Sequence, residues 1–89
     1  MIKTFEELWE LCEEYHNHSS NEVESVIEEL ILKCNLYKTI NQFEEIPADE
    51  KEKMKLSAIG EILFTLTNIS LIDKLNVFKA LYLSLNSRK

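Results

Sequence analysis

The sequence predicts an all-α fold, a single domain over residues 1–89 built as an antiparallel four-helix bundle. Only one glycine and one proline occur in the 89 residues, which leaves few positions for the tight turns of an all-β protein. Apolar residues make up 45% of the chain, enough for a folded domain. Their spacing is helical in four segments. Because so short a chain buries only a marginal core by itself, we expect dimerisation to complete the bundle.

The first helix is predicted from Thr4 to about residue 17. Thr4 and Glu7 have the spacing of a capping box, in which each side chain binds the backbone N–H of the other residue. Ser19 and Glu22 repeat this spacing and predict the start of the second helix. The apolar stripe of the first helix consists of Phe5, Leu8, Trp9, Cys12 and Tyr15.

The second helix is predicted over residues 21–43 and carries two apolar stripes on different sides. A helix with two such stripes should contact two neighbours, and in a chain this small we expect the second to be another subunit. The first stripe is Val23, Val26, Ile27, Leu30, Ile31, Cys34 and Tyr37, and the second is Leu32, Leu36, Ile40 and Phe43.

Pro47 ends the second helix, and Asp49 is predicted to cap the third, over residues 48–72. Gly60 lies inside this helix, where it costs about 1 kcal/mol relative to alanine, so we expect a neighbouring helix backbone to approach it. Asn76 is predicted to cap a short last helix. The third helix is expected to bury Ile59, Ile62, Leu63, Leu66 and Ile69 and to expose Ser57, Glu61, Thr65 and Asn68.

The charge balance and the cysteines limit the classes of partner. The formal charge of −6 disfavours direct binding to nucleic acid, which requires a basic face. Cys12 and Cys34 lack the spacing of a zinc site, and reduced thiols are expected. The acidic N-terminus does not resemble a signal peptide, and the longest apolar run, residues 58–72, is short and interrupted by polar residues. We therefore expect a soluble cytoplasmic protein that does not enter a membrane.

Three segments carry a family resemblance: "IEELILKCNLYK" (27–38), "AIGEILFTLTNIS" (58–70) and "LNVFKALYLSLN" (75–86). In order and spacing they resemble the all-α nucleoside triphosphate pyrophosphohydrolases of the MazG type, over most of the chain from Phe5 to Leu85. The resemblance implies Mg²⁺-dependent hydrolysis of a (deoxy)nucleoside triphosphate to a monophosphate and pyrophosphate. It also implies a homodimer or a dimer of dimers.

The acidic motifs of that family are only partly present. Glu28 and Glu29 match its leading Glu-Glu, but the third acid of the motif falls at Leu32. In the Glu-x-x-Asp motif the first acid falls at Ala58 and the last at Glu61. The resemblance thus implies Glu29 and Glu61 as Mg²⁺ ligands and Glu28 as a base that orients water. Because leucine and alanine cannot bind a hard cation, we expect the fold without its ordinary activity.

Other residues have a functional and a structural interpretation. The resemblance implies that a nucleotide would contact Trp9, Tyr15, His16 and Asn68, although aromatic residues on an apolar stripe usually belong to a core. Glu29 can equally form an exposed ion pair with Lys33 one turn on. The whole chain could also be a small subunit whose only role is assembly. A non-catalytic protein of the immunity or inhibitor type would instead contact a basic protein partner through Glu6, Glu10, Glu13 and Glu14.

Overall fold

A computed structural model describes residues 4–16 and 22–88, and within these ranges the chain forms four α-helices and no strand. The predicted all-α fold is confirmed, and the ends of the first three helices and the start of the fourth lie within two residues of their predicted positions. The predicted Ser19–Glu22 capping box rests on a residue outside the described ranges. The helices are α1 (Phe5–His16), α2 (Val23–Gln42), α3 (Ala48–Ile72) and α4 (Val77–Ser87).

Side-chain caps are present at the two helix starts where Thr4 and Asn76 were predicted to cap, but only one of the two bonds of the predicted Thr4–Glu7 capping box is found among the described residues. The Thr4 hydroxyl accepts a hydrogen bond from the Glu7 N–H at 3.2 Å. The Asn76 carboxamide accepts from the N–H groups of Phe78 and Lys79 at 2.9 and 3.1 Å, which satisfies two donors that a helix start leaves free. The predicted Asp49 cap is wrong, because Pro47 occupies the N-cap and Asp49 lies in the first turn of α3.

The corner between α3 and α4 is a Schellman motif formed without glycine. The Leu75 N–H donates to the Ser70 carbonyl at 2.7 Å and the Lys74 N–H donates to the Leu71 carbonyl at 3.1 Å. This pattern requires a left-handed residue after the helix, and Lys74 takes that conformation with φ 59°. A side chain therefore occupies a backbone position that usually favours glycine.

Helices α2 and α3 form an antiparallel hairpin that contains the small core of the protein. Among described residues, the buried apolar side chains are Val26, Ile40 and Ala58. The side of α2 that faces α3 lies between the two predicted apolar stripes, so each stripe leaves side chains exposed. Within the described chain α2 packs mainly on α3, and the expected second neighbour is not part of it.

The predicted orientation of α3 is correct only in part: Ser57 and Glu61 are exposed as predicted, but other positions are not as predicted. Ile59 and Leu63, predicted to be buried, are 42% and 54% exposed, whereas Thr65 and Asn68 from the predicted polar strip are 2% and 8% exposed. The physical reason is that α2 packs along the polar strip and α1 and α4 cover only the C-terminal half of the opposite side. Nothing described lies within 4 Å of a Cβ built on Gly60, so the expected close approach of another helix is not found among the described residues.

Aromatic contacts hold α1 against α3 and α4. The rings of Phe5 and Phe78 stack at 5.0 Å, and Trp9 meets Phe78 edge-on at 6.1 Å. At the other end of α1, His16 lies 4.3 Å from the ring of Phe64. Stacked and edge-on aromatic pairs are favourable beyond the area that they bury, so these few contacts position α1.

Helix α3 combines a length of 25 residues with an apolar composition. By length and hydropathy alone it is long and apolar enough to cross a membrane. The sequence argument against a membrane span considered only the shorter run of residues 58–72. The core helix of a soluble protein passes the same test, so this property assigns no location. The cytoplasmic location stays a prediction.

Candidate functional site

The best-defined polar cluster centres on the ammonium group of Lys33, between α2 and α3. Its Nζ atom lies 3.0 Å from Oε1 of Glu29 and 3.3 Å from Oε2 of Glu61. It also donates to the Thr65 hydroxyl at 2.6 Å. Glu29 precedes Lys33 by one helical turn, and Glu61 precedes Thr65 by one turn on the facing helix. One cation thus binds oxygens from both helices.

Thr65 is oriented to accept the hydrogen bond from Lys33. Its hydroxyl donates to the Glu61 carbonyl at 2.9 Å, which leaves the oxygen lone pairs for the ammonium. Thr65 is only 2% exposed, whereas the carboxylates at the rim are more than half exposed. The cluster is therefore fixed at its base and open to solvent at its edge.

Two opposing effects act on the pKa of Lys33. Burial lowers it, but hydrogen bonds to Glu29 and Glu61 and the charges of both carboxylates outweigh that effect and raise the pKa above its usual value. Both glutamates favour the charged form of the lysine. At neutral pH the ammonium is therefore a stable part of the cluster.

The cluster, as placed, does not fit a magnesium ion. Mg²⁺ requires near-octahedral oxygen ligands, usually including carboxylates, and here a cation from the chain itself already binds both carboxylates. Ala58, at a position where the resemblance would require an acid, is buried, and Leu32, at the other, is 70% exposed. Within the described ranges, no three His, Cys, Asp or Glu side chains lie close enough together to hold a metal ion.

Glu28 is exposed and lies next to Glu29 in sequence. Successive residues of a helix point about 100° apart, so its carboxylate is directed away from the cluster on α2. Glu29 and Glu61 both contact the ammonium of Lys33, and Glu28 lies outside that cluster; the Mg²⁺ roles of these residues stay predictions.

The residues predicted to contact a nucleotide differ in burial and do not form one cluster: Trp9 and His16 are partly buried, Tyr15 is exposed and Asn68 is buried. Trp9 packs edge-on against Phe78, and Tyr15, although 77% exposed, meets the Phe64 ring edge-on at 6.1 Å. Both serve the α1 contacts in this arrangement. His16 and Asn68 are less exposed than Tyr15, and of the two only His16 has a polar contact among the described residues.

His16 binds the buried Thr67 hydroxyl between α1 and α3. Nε2 of His16 lies 3.3 Å from Oγ1 of Thr67, and Thr67 donates to the Phe64 carbonyl at 2.6 Å. Because that hydroxyl proton is already used, the contact requires the proton on Nε2 of His16. Burial lowers the pKa of His16, opposed by a hydrogen bond to the Phe64 backbone.

Asn68 has an incomplete hydrogen-bond set. It is 8% exposed, and Oδ1 has no hydrogen-bond partner among the described residues. A buried amide oxygen of this kind costs stability unless a partner satisfies it. Asn68 follows Thr65 by about one turn, so it extends the polar side of α3 beyond the Lys33 cluster.

The acidic residues predicted to bind a basic partner lie on the surface of α1. At 100° per residue Glu10 and Glu14 lie opposite the apolar stripe that packs on α3 and α4, whereas Glu6 and Glu13 lie at its border. Glu13 lines a hollow together with Trp9 and the corner between α3 and α4. All four are exposed: Glu6, Glu10, Glu13 and Glu14.

Sequence reasoning found only half of the central cluster. The Glu29–Lys33 pair follows from helical spacing and is confirmed. The link from Lys33 to Glu61 joins residues 28 apart in sequence and has no local signal. Thr65 carried a partial signal, because it belongs to the polar strip that contains Glu61.

Comparison with known proteins gives no further assignment: no protein-family model, no curated protein and no solved structure matches the chain. The MazG-type resemblance therefore stays a prediction based on the three sequence segments.

Proposed function

We propose that this chain is a MazG-like helical protein, related to the Mg²⁺-dependent (d)NTP pyrophosphohydrolases, that acts by binding a partner and does not hydrolyse nucleotides. One observation carries the proposal: the ammonium of Lys33 bridges Glu29 and Glu61 at 3.0 and 3.3 Å. These are the two acids that the resemblance assigns to Mg²⁺. An internal cation supplies the charge neutralisation that facing carboxylates need.

Leu32 and Ala58, which stand where the family motif has acids, support the same proposal. Leu32 and Ala58 offer no oxygen to a metal, so removing Lys33 from the cluster would still leave one carboxylate on each helix. Two carboxylates with water could bind Mg²⁺ weakly, as many magnesium sites do with substrate phosphates. Binding of a partner fits the exposed acidic side of α1 described above.

The test is calorimetric titration of Mg²⁺ and Mn²⁺, together with a pyrophosphate-release assay on mixed nucleoside triphosphates. Lys33→Met keeps most of the side-chain volume and removes the charge. We expect no saturable metal binding and no pyrophosphate release with the unaltered protein, and weak but saturable metal binding by Lys33→Met, since it frees both carboxylates.

Two controls make the result specific. Lys38→Met removes one positive charge from an exposed position on the same helix and should leave metal binding unchanged. Adding Glu61→Gln to Lys33→Met should abolish the new binding. Pyrophosphate release by the unaltered protein that disappears in Glu61→Gln would contradict the proposal.

That contradicting result would support a second candidate function, Mg²⁺-dependent nucleoside triphosphate hydrolysis. It is favoured by the meeting of Glu29 and Glu61 from two separate helices, with side chains 51% and 60% exposed. Exposed carboxylates of this kind remain accessible to a metal–nucleotide complex that could displace Lys33. The same assay therefore decides between the two functions.

A further inference from the structure

We propose that a second copy of this chain docks on one face of α3, here called the Gly60 face, formed by Leu56, Ile59, Gly60 and Leu63. These residues follow the i, i+3, i+4, i+7 spacing that aligns side chains on one side of a helix. The three large side chains are 66%, 42% and 54% exposed. Nothing described lies within 4 Å of a Cβ at Gly60.

The total exposed area indicates how much surface an occupant must cover. The chain exposes 7373 Å², whereas a compact monomer of its mass exposes about 5,400 Å². The excess of about 1,900 Å² per chain lies within the range of about 1,000–2,500 Å² that each subunit of an obligate homodimer buries. The radius of gyration of 15.0 Å also exceeds the value of about 12 Å for a compact domain of this length.

The Gly60 face continues into a groove between α1, α3 and α4. The groove has a volume of about 470 Å³, and Gly60 and Leu63 form part of its wall together with Phe5, Leu8 and Leu81. On its other side the Gly60 face borders a hollow that contains Tyr37, Leu56 and Ile59. A helix from a second copy would thus meet a continuous apolar surface.

Charge favours this face over the opposite side of the α2–α3 hairpin. That side also exposes apolar residues, including Leu36, but Lys33 and Glu61 lie among them, and docking there would remove an ion-pair cluster from water. Beside the Gly60 face the charged residues are of both signs, Lys51, Glu52 and Lys55.

A two-fold axis brings a patch against its own copy, so a rim of mixed sign is self-complementary. The exposed glutamates of α1 lie on the side of that helix turned away from the groove. Two copies that each carry a formal charge of −6 would therefore meet where their repulsion is small.

The experiment is sedimentation equilibrium of the full chain, with Leu63→Glu as the test variant. Leu36→Glu is the matched control, because Leu36 is 55% exposed and Leu63 is 54% exposed, but Leu36 lies on the other side of the hairpin. We expect a dimer for the unaltered chain and for Leu36→Glu, and a helical monomer for Leu63→Glu. A monomeric unaltered chain, or dissociation by Leu36→Glu and not by Leu63→Glu, would overturn the proposal.

A second variant keeps the test valid if Leu63→Glu does not fold. Gly60→Ala adds one methyl group in open space. It should raise the dissociation constant of the dimer at least tenfold, because the methyl group would stand between Gly60 and the docked second copy. An unchanged constant would show that the second copy does not approach Gly60 closely. Flotation with neutral phosphatidylcholine vesicles tests whether a membrane, the other possible occupant of an apolar face, binds here. An unaltered chain that stays monomeric and floats would assign this face to a membrane instead.

Discussion

At the scale of single residues, the polar groups of α3 determine how this small bundle holds together. Thr65 and Thr67 are both almost fully buried, and each hydroxyl donates to a carbonyl of its own helix. Each then accepts a contact from another helix, from Lys33 of α2 or from His16 of α1. Two threonines thereby connect α3 to two neighbours at positions where apolar side chains would be expected.

His16 should make stability depend on pH. Its folded pKa lies below the usual 6.5 because of burial, so the unfolded chain binds the proton more readily. The contribution of His16 is therefore complete above about pH 6.5 and is lost as the pH falls below that value. We expect the unfolding midpoint in urea to fall more between pH 7.5 and pH 5.5 than it does in His16→Gln. Equal pH dependence in the two proteins would contradict this assignment.

At the scale of secondary-structure elements, the helices differ in whether a side chain caps their first turn. Helices α1 and α4 begin at side-chain caps, whereas α2 and α3 begin at Glu22 and Pro47 without one. The Schellman corner after α3 has its hydrogen bonds in place, but a lysine occupies its left-handed position. A lysine in this conformation costs about 1–2 kcal/mol relative to a right-handed one.

Lys74→Gly should therefore stabilise the protein by about 1 kcal/mol, because glycine adopts positive φ without a steric penalty. Chemical denaturation monitored by circular dichroism measures the change. Lys53→Gly is the control, since Lys53 is exposed in the interior of α3 and the same substitution there should cost about 1 kcal/mol. If both variants lose stability, the left-handed residue carries no strain.

At the scale of the whole molecule, the described structure has few buried apolar side chains for its length. Three are buried and eighteen large ones are exposed. Burial of apolar area is the main favourable term in folding, so the monomer has little to set against the entropy of ordering four helices. Association on the Gly60 face would supply the missing burial.

Thermal stability should consequently depend on protein concentration. If the folded chain is dimeric and the unfolded chain is monomeric, mass action raises Tm with concentration. A hundredfold increase should raise Tm by about 5–10 °C for a domain of this size. Differential scanning calorimetry at about 2 and about 200 µM tests this, and Leu63→Glu should show no such dependence. A constant Tm in the unaltered protein would indicate a monomer.

Features of the fold that depend on residues close together in sequence could be predicted, and features that depend on distant residues could not. The bounds of α3 and the cap at Asn76 were predicted correctly, because helical periodicity and capping depend on residues a few positions apart. The orientation of α3 was predicted correctly only in part, because it depends on which side each neighbouring helix covers. In the candidate site, the Glu29–Lys33 pair was predictable and the contact of Lys33 with Glu61 was not. The left-handed Lys74 lacked the glycine that would have indicated it.

The stacking of Phe5 on Phe78 has a consequence for the order in which the chain folds. The α2–α3 hairpin joins neighbouring segments through a short connection, so its contacts close small loops and should form early. Helix α1 leaves a ribosome before α4, yet the Phe78 ring that Phe5 stacks against belongs to α4. We expect α1 to dock last. Trp9, the only tryptophan, lies edge-on to Phe78, so its fluorescence should change later in refolding than the helical circular dichroism signal.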